Sequence, residues 1–158
     1  MRMRLISSNN IEIQVFHRRT SHPLFLMLRY SENGNYAGNW TVLTGSVPED
    51  ELPVNAALQT LVEMTALSPI AIWALDYIHS YYDPIMDTIH FNPIFAIEVS
   101  NDKLTLDAEY NASRWITAEQ AMGLLRWPGH REGLRRAAED VVFAADRGKA
   151  FRINPHAS

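Results

Sequence analysis

The segment Gly45–Leu67 reads GSVPEDELPVNAALQTLVEMTAL, and it decides how the rest of the chain is interpreted. Its first part is a polar loop that opens with the glycine and carries Glu51 six positions later. Its second part predicts a helix from about Leu52 to Ala66, because apolar residues recur there at intervals of three or four. Pro53 is tolerated in the first turn of such a helix. The segment is therefore a glycine loop followed by an amphipathic helix.

Composition sets the outer limits of the interpretation. The chain has 158 residues, of which 47% are hydrophobic and 20% charged, and this predicts one domain over residues 1–158. The net charge of −4 argues against a general nucleic-acid binder, which normally carries a basic face. The absence of cysteine excludes disulfides, thiolate zinc sites and cysteine nucleophiles. No apolar run approaches the roughly 20 residues of a membrane span, so we expect no membrane association and a cytoplasmic location.

Strand-like segments dominate the middle of the chain. The alternation IEIQVF at Ile11–Phe16 predicts a half-buried strand, and the apolar run Pro23–Tyr30 predicts a central strand buried on both faces. Pro93 interrupts a later strand and indicates an edge or a bulge. The other predicted strands are Trp40–Thr44, Ile70–Tyr82, Ile85–Ser100, Leu104–Leu106 and Ser113–Ile116.

Two helices are predicted after the strands. Thr117 and Gln120 form a capping-box pattern that opens the first helix. The second is expected at about Arg131–Arg147, with Gly148 as its cap. It carries a basic cluster together with acidic residues, which is typical of a solvated mixed-charge face; the residues are Arg131, Arg135 and Arg136 with Glu132, Glu139 and Asp140. The order of elements predicts an α/β or α+β domain with a mixed sheet between helices.

The loop and helix resemble the Nudix box, G-x5-E-x7-R-E-U-x-E-E-x-G-U, where U is apolar. The matching residues are Gly45, Glu51, Leu61, Glu63 and Leu67. The family has Arg, Glu, Glu and Gly where this chain has Gln59, Thr60, Met64 and Ala66. The resemblance implies a Nudix-type α/β/α sandwich with a mixed central sheet. Without glycine at position 66, we expect the helix to end differently, through Ser68 and Pro69.

The resemblance continues outside the box. Trp40–Val47 (WTVLTGSV) resembles the lead-in of Nudix enzymes that act on dihydroneopterin triphosphate and deoxynucleoside triphosphates. The later stretch AEYNASRWITAEQAMGLLRWPGHREGL resembles the C-terminal part of the same group. By this alignment Glu109 corresponds to a distal glutamate that supplies a further metal ligand. In all, the resemblance covers roughly Ile11 to Val142.

The replaced residues bear on chemistry, because diphosphate hydrolysis needs a divalent ion to neutralise phosphoryl charge and activate water. Thr60 offers only a weak neutral oxygen, and the sulfur of Met64 is a poor ligand for magnesium. Of the three helix glutamates only Glu63 remains. The resemblance thus implies a site for Mg²⁺ or Mn²⁺ held by Glu63 and Glu109, with weak or altered activity. Glu51 would support the site from behind.

Further candidates line the expected active-site side. The Gly45 backbone, Arg29, Trp40 and Tyr81 are candidate contacts for a small nucleotide-like substrate, Arg29 through phosphate and the aromatic rings through stacking. Glu98 is a weaker substitute ligand. Glu49 and Asp50 are expected in an exposed acidic turn. His79 and His90 are interpreted as ordinary strand side chains.

Two functions remain open at this stage. One is a metal-dependent hydrolase of a nucleoside or pterin polyphosphate or another diphosphate-linked substrate. The other is a catalytically silent Nudix domain that binds a nucleotide-like ligand or a protein partner. The apolar content and the Pro-interrupted strand are also compatible with a homodimer.

Overall fold

A mixed sheet organises the structure, a computed structural model that describes residues 3–154 with the exception of 33 and 35. In this part of the chain the strands are β1 (Leu5–Ser7), β2 (Asn10–His17), β3 (Leu24–Tyr30), β4 (Trp40–Thr41), β5 (Leu43–Ser46), β6 (Pro69–Asp83), β7 (Thr88–Val99), β8 (Tyr110–Ile116) and β9 (Arg152–Ile153). The α-helices are α1 (Pro53–Thr65), α2 (Ala118–Leu124) and α3 (Pro128–Ala137). A π-helical turn (Ala138–Val142) and a 3₁₀-helix (Ala145–Phe151) follow α3.

Strand β2 is the central element of the sheet. It runs parallel to β7 on one side, and on the other side it pairs first with β5 and then with β3, both antiparallel. The predicted strand Trp40–Thr44 is therefore two short strands, since β4 pairs with β3 while β5 pairs with β2. Pro93 does not lie at an edge. It faces an irregularity in β6, at the point where β7 ends its pairing with β1 and begins its pairing with β2.

Helices cover both faces of the sheet. Ile11, Ile13 and Val15 of β2 pack with Leu61 of α1 in one buried cluster. Phe16, from the same strand, packs on the opposite face with α2 and α3. Strand β3 also contributes to both clusters, as expected for a strand buried on both faces. These layers are the α/β/α sandwich predicted from the sequence.

The alternating strand β2 differs from its prediction in one respect. Glu12 and Gln14, which the alternation placed towards solvent, are each only 1% exposed. Helix α3 covers them, and it comes so close that a β-carbon on Gly133 would overlap Glu12 Oε2. The polar side of β2 is thus an interior surface.

Helix α1 ends in a way that the sequence did not predict. Ala66 adopts the left-handed conformation (φ 59°) and its N–H donates to the carbonyl of Val62, so an alanine forms the cap expected only of glycine. The predicted strand Leu104–Leu106 is also wrong. In that segment the N–H groups of Thr105 and Asp107 donate to the end of α1 rather than to the sheet.

The C-terminal helix is shorter than predicted. It begins at Pro128, in the N1 position that suits proline, and ends at Ala137. Gly148 does not cap it, because this glycine lies within the 3₁₀-helix. The capping box of Thr117 and Gln120 is confirmed at the start of α2. No helix among the described residues is both long and apolar enough to span a membrane.

Candidate active site

A cleft of about 1500 Å³ opens beside α1, the helix of the Nudix-like box. Its walls come from β2, β5, α1, the β6–β7 hairpin and the start of α3. Four of the residues selected from the sequence line this cleft, namely Gly45, Glu63, Tyr81 and Glu109. The fold therefore brings these predicted residues to one cavity.

The loop glycine lies against the box helix. Gly45 pairs with Ile11 across the sheet, and a β-carbon placed on Gly45 would lie 2.5 Å from Thr60 Oγ1. Thr60 thus packs directly on the glycine, in the position where the Nudix box has a glutamate. Met64, the second replaced glutamate, packs against the buried cluster on the α1 face. Both replacements contribute to packing.

Two carboxylates remain on this side of the cleft. Glu63 accepts a hydrogen bond of 2.8 Å from Gln59 Nε2, so the glutamine in the arginine position orients it. Partial burial raises the pKa of Glu109, and the neighbouring charge of Asp107 raises it further. A bound cation would act in the opposite direction and favour the ionised form of Glu109.

Glu51 acts on the start of the box helix. Its Oε1 accepts hydrogen bonds from the backbone N–H of Leu52 at 2.9 Å and from Asn55 Nδ2 at 3.0 Å. This satisfies a backbone donor at the helix N-terminus, which has no other side-chain cap. The carboxylate therefore holds the loop to the helix.

The opposite side of the cleft carries a cluster that the sequence reasoning missed. Glu12 of β2, His79 of β6 and His130 of α3 each direct one ligand atom inward, and these atoms lie within 4.8 Å of one another. His79 Nδ1 is 3.2 Å from Glu12 Oε1, and His130 Nε2 is 3.6 Å from the same oxygen. Burial lowers the pKa of His130, against the opposing effect of Glu12.

Several residues selected from the sequence have surroundings that the sequence did not indicate. His79 is a side chain of strand β6, as predicted, and its Nδ1 also lies in this cluster, 3.2 Å from Glu12 Oε1. Arg29 and Trp40 lie outside the residues that line the cleft. Arg29 Nε instead donates to Asn111 Oδ1 at 2.9 Å, and its guanidinium lies 5.6 Å from the centre of the Trp40 ring. The two residues thus contact each other and Asn111 at some remove from the cleft lining, and their role as substrate contacts stays a prediction.

The remaining candidates have other surroundings. Glu98 pairs with Arg18 at 3.5 Å. Glu49 and Asp50 are exposed, and the His90 ring stacks on Tyr81 at 4.8 Å. On α3, Arg135 and Arg136 pair with Glu132, as a mixed-charge helix face predicts. Arg131 differs, since it donates to the carbonyls of Leu125 and Arg126 in the preceding connection.

A faint sequence signal did exist for the missed cluster. Gly129 and Gly133 are four residues apart on α3, with His130 between them. A β-carbon on Gly129 would overlap the His79 ring. Glycines at this spacing allow a helix to approach a sheet closely. What the sequence could not show is that the helix lies over the polar positions of β2.

The chain was compared with known proteins by sequence and by structure. No protein-family model matches the chain. A Myxococcus xanthus octanoyltransferase is 32% identical over 117 residues, which cover 72% of this chain and 32% of that protein. The chain thus spans about a third of that relative's length.

Solved structures share the architecture more widely. The Nudix domain of Shewanella oneidensis NrtR, solved with ADP ribose, has a TM-score of 0.69 at 17% identity, covering 88% of this chain and 89% of that chain. The Escherichia coli dihydroneopterin triphosphate pyrophosphohydrolase has a TM-score of 0.66 at 18% identity, covering 85% and 95%. The chain therefore has the Nudix fold, as the box spacing predicted.

Proposed function

We propose that the chain is a metal-dependent hydrolase of a diphosphate-linked, nucleotide-like small molecule, with low turnover. The observation that supports this most is that Glu63 and Glu109, from separate elements, line one cleft with the box glycine. A pyrophosphohydrolase and a domain that binds ADP ribose share this fold. Phosphate-bearing ligands are therefore the class to test first.

The residues on the box side suit one Mg²⁺ or Mn²⁺ ion rather than several. Two carboxylates, completed by water and substrate phosphates, are a normal magnesium environment. Thr60 and Met64 add no charge, and both are engaged in packing. When bound, the ion would neutralise phosphoryl charge and make water a better nucleophile.

The chain's own residues would bind the substrate and hold Glu63 and the loop in position. The Gly45 backbone, which lines the cleft, would contact phosphate there. Gln59 would keep Glu63 oriented through the hydrogen bond of 2.8 Å. Tyr81, which is 43% exposed, would offer its ring edge or open face to a base. Glu51 would hold the loop in place.

Hydrolysis of a nucleotide panel tests this proposal. With magnesium or manganese, the purified chain should release phosphate or pyrophosphate from at least one member. Glu63→Gln and Glu109→Gln should reduce the rate by at least about tenfold, since each removes a charged ligand. Glu119→Gln is the matched control, because Glu119 is an exposed glutamate in the first turn of α2, outside the cleft. No release from any substrate would refute hydrolysis, and equal rates in all three variants would refute the roles of Glu63 and Glu109.

A second function is favoured by the packing of the replaced glutamates. If Thr60 and Met64 serve only the stability of the helix, the domain could bind a nucleotide-like ligand or a protein partner without hydrolysing it. Restoring both carboxylates with Thr60→Glu and Met64→Glu should then create magnesium binding that the parent lacks. Tight magnesium binding by the parent, measured by calorimetry, would contradict this alternative. The homodimer expected from the sequence remains a prediction.

A further inference from the structure

The cluster of Glu12, His79 and His130 has the composition of a transition-metal site. Two imidazoles and one carboxylate bind zinc and related ions, whereas magnesium prefers oxygen ligands. The three side chains come from two strands and a helix, and all three line the cleft. The donor set therefore differs in kind from the carboxylates on the box side.

The spacing of the donor atoms fits one small ion. In a tetrahedral site with bonds of about 2.0–2.1 Å, neighbouring ligand atoms lie about 3.3 Å apart. The separations of Glu12 Oε1 from His79 Nδ1 and His130 Nε2 are 3.2 Å and 3.6 Å. The third separation, between the two imidazoles, is at most 4.8 Å, so a modest rotation of one ring would complete the site.

Gln14 holds the Glu12 carboxylate in place. Gln14 Nε2 donates to the second carboxylate oxygen, Glu12 Oε2, at 3.2 Å and lies 3.5 Å from the carbonyl of His130. Such contacts orient metal ligands and are part of a formed site. Gly129 and Gly133 let α3 approach, because a β-carbon at either would overlap His79 or Glu12.

Charge also favours a cation here. Glu12 is 1% exposed, and no lysine or arginine in the described part of the chain forms an ion pair with it. A buried carboxylate without a permanent positive partner is unfavourable. A divalent ion would balance this charge and use both imidazoles in their neutral form.

We propose that Glu12, His79 and His130 bind a divalent transition-metal ion of the zinc class, with an open coordination position towards the cleft. The open position would accept water or an oxygen of a ligand in the cleft, as in zinc sites with three protein ligands. The proposal does not depend on hydrolysis at Glu63 and Glu109, because it concerns different residues and a different metal.

Zinc content tests the proposal directly. The parent chain, stripped with chelator, loaded with Zn²⁺ and desalted, should retain one equivalent by elemental analysis. His79→Asn and His130→Asn should lose it, while Glu63→Gln and the exposed-histidine control His22→Asn should keep it. Gln14→Leu should weaken zinc affinity by about 10–100-fold, the usual effect of losing a contact behind a ligand.

A second measurement uses the unmodified chain, so its result does not depend on whether the variants fold. Co²⁺ added to the unmodified chain should give the intense visible absorption of a four- or five-coordinate ion, and Zn²⁺ should abolish it. Circular dichroism checks that each variant is folded. The proposal is wrong if the parent retains no zinc and gives only the weak spectrum of hydrated Co²⁺. It is equally wrong if folded His79→Asn and His130→Asn retain as much zinc as the parent. In either case the cluster is a hydrogen-bonded Glu–His group without metal.

Discussion

Gly133 in α3 gives the sharpest test of how the helix meets the polar side of β2. Replacing it with alanine improves helix propensity by about 0.5–1 kcal/mol. The added β-carbon would, however, overlap Glu12 Oε2, and it would lie 3.1 Å from Ile94 Cδ1 and 3.3 Å from Gln14 Nε2. Overpacking of this kind costs about 1–3 kcal/mol. We therefore expect Gly133→Ala to be destabilising by about 1–2 kcal/mol.

Gly123 in α2 is the matched control, since a β-carbon there would contact nothing within 4 Å. Gly123→Ala should gain the helix propensity alone and stabilise the chain by about 0.5–1 kcal/mol. For a domain of this size about 1 kcal/mol corresponds to 2–4 °C in Tm. The two alanine variants should then differ by several degrees in thermal unfolding, with opposite signs relative to the parent.

A double-mutant cycle identifies the cause of the difference. In a Glu12→Ala background the main obstacle is removed, so Gly133→Ala should cost at least about 1 kcal/mol less than in the parent. Urea unfolding followed by circular dichroism supplies the four free energies of unfolding. Equal stabilisation by Gly133→Ala and Gly123→Ala would refute the close approach, and so would a coupling energy near zero.

Three further predictions concern other contacts. Gly45→Ala should destabilise by about 1–3 kcal/mol because its β-carbon would meet Thr60, and Thr60→Ala should largely relieve this in urea unfolding. Ala66→Gly should stabilise by about 0.5–1 kcal/mol in the same assay, because the left-handed conformation strains alanine. Burial lowers the pKa of His17. Below about pH 6.5 this histidine is therefore protonated more readily in the unfolded chain than in the folded chain. Its stability should fall there by up to about 1.4 kcal/mol per pH unit, and His17→Gln should flatten that slope.

The fold was predicted from a resemblance to the Nudix box, which rests on two independent features of the segment. A glycine loop of fixed length and the apolar stripe of α1 both had to be satisfied, and the lead-in WTVLTGSV placed them after strands. The end of α1 was less predictable. Ala66 is held in a strained conformation by its hydrogen bond to Val62 and by the segment after Leu104, whose contacts with the end of α1 are not encoded near the helix.

The sequence suggested candidate site residues only on the box side of the cleft. Glu63 and Glu109 followed from the motif, whereas the cluster of Glu12, His79 and His130 depends on three elements distant in sequence. Alternation along β2 indicates a solvent face by default, because most strands have one. Glu12 is buried only because α3 lies over that face. The position of α3 is a property of the tertiary structure and cannot be inferred from the alternation along β2.

The two sides of the cleft differ in what their residues do for stability. On the box side, Thr60 lies against Gly45 and Met64 packs on the buried cluster, so these two positions contribute packing rather than charge. On the α3 side, a carboxylate is buried beside two imidazoles and an amide, an arrangement that apolar residues would usually match or exceed in stability. Polar groups that are buried at a cost in stability usually mark a functional site. Glu12, His79 and His130 are therefore the first residues to vary in any functional experiment, ahead of the box itself.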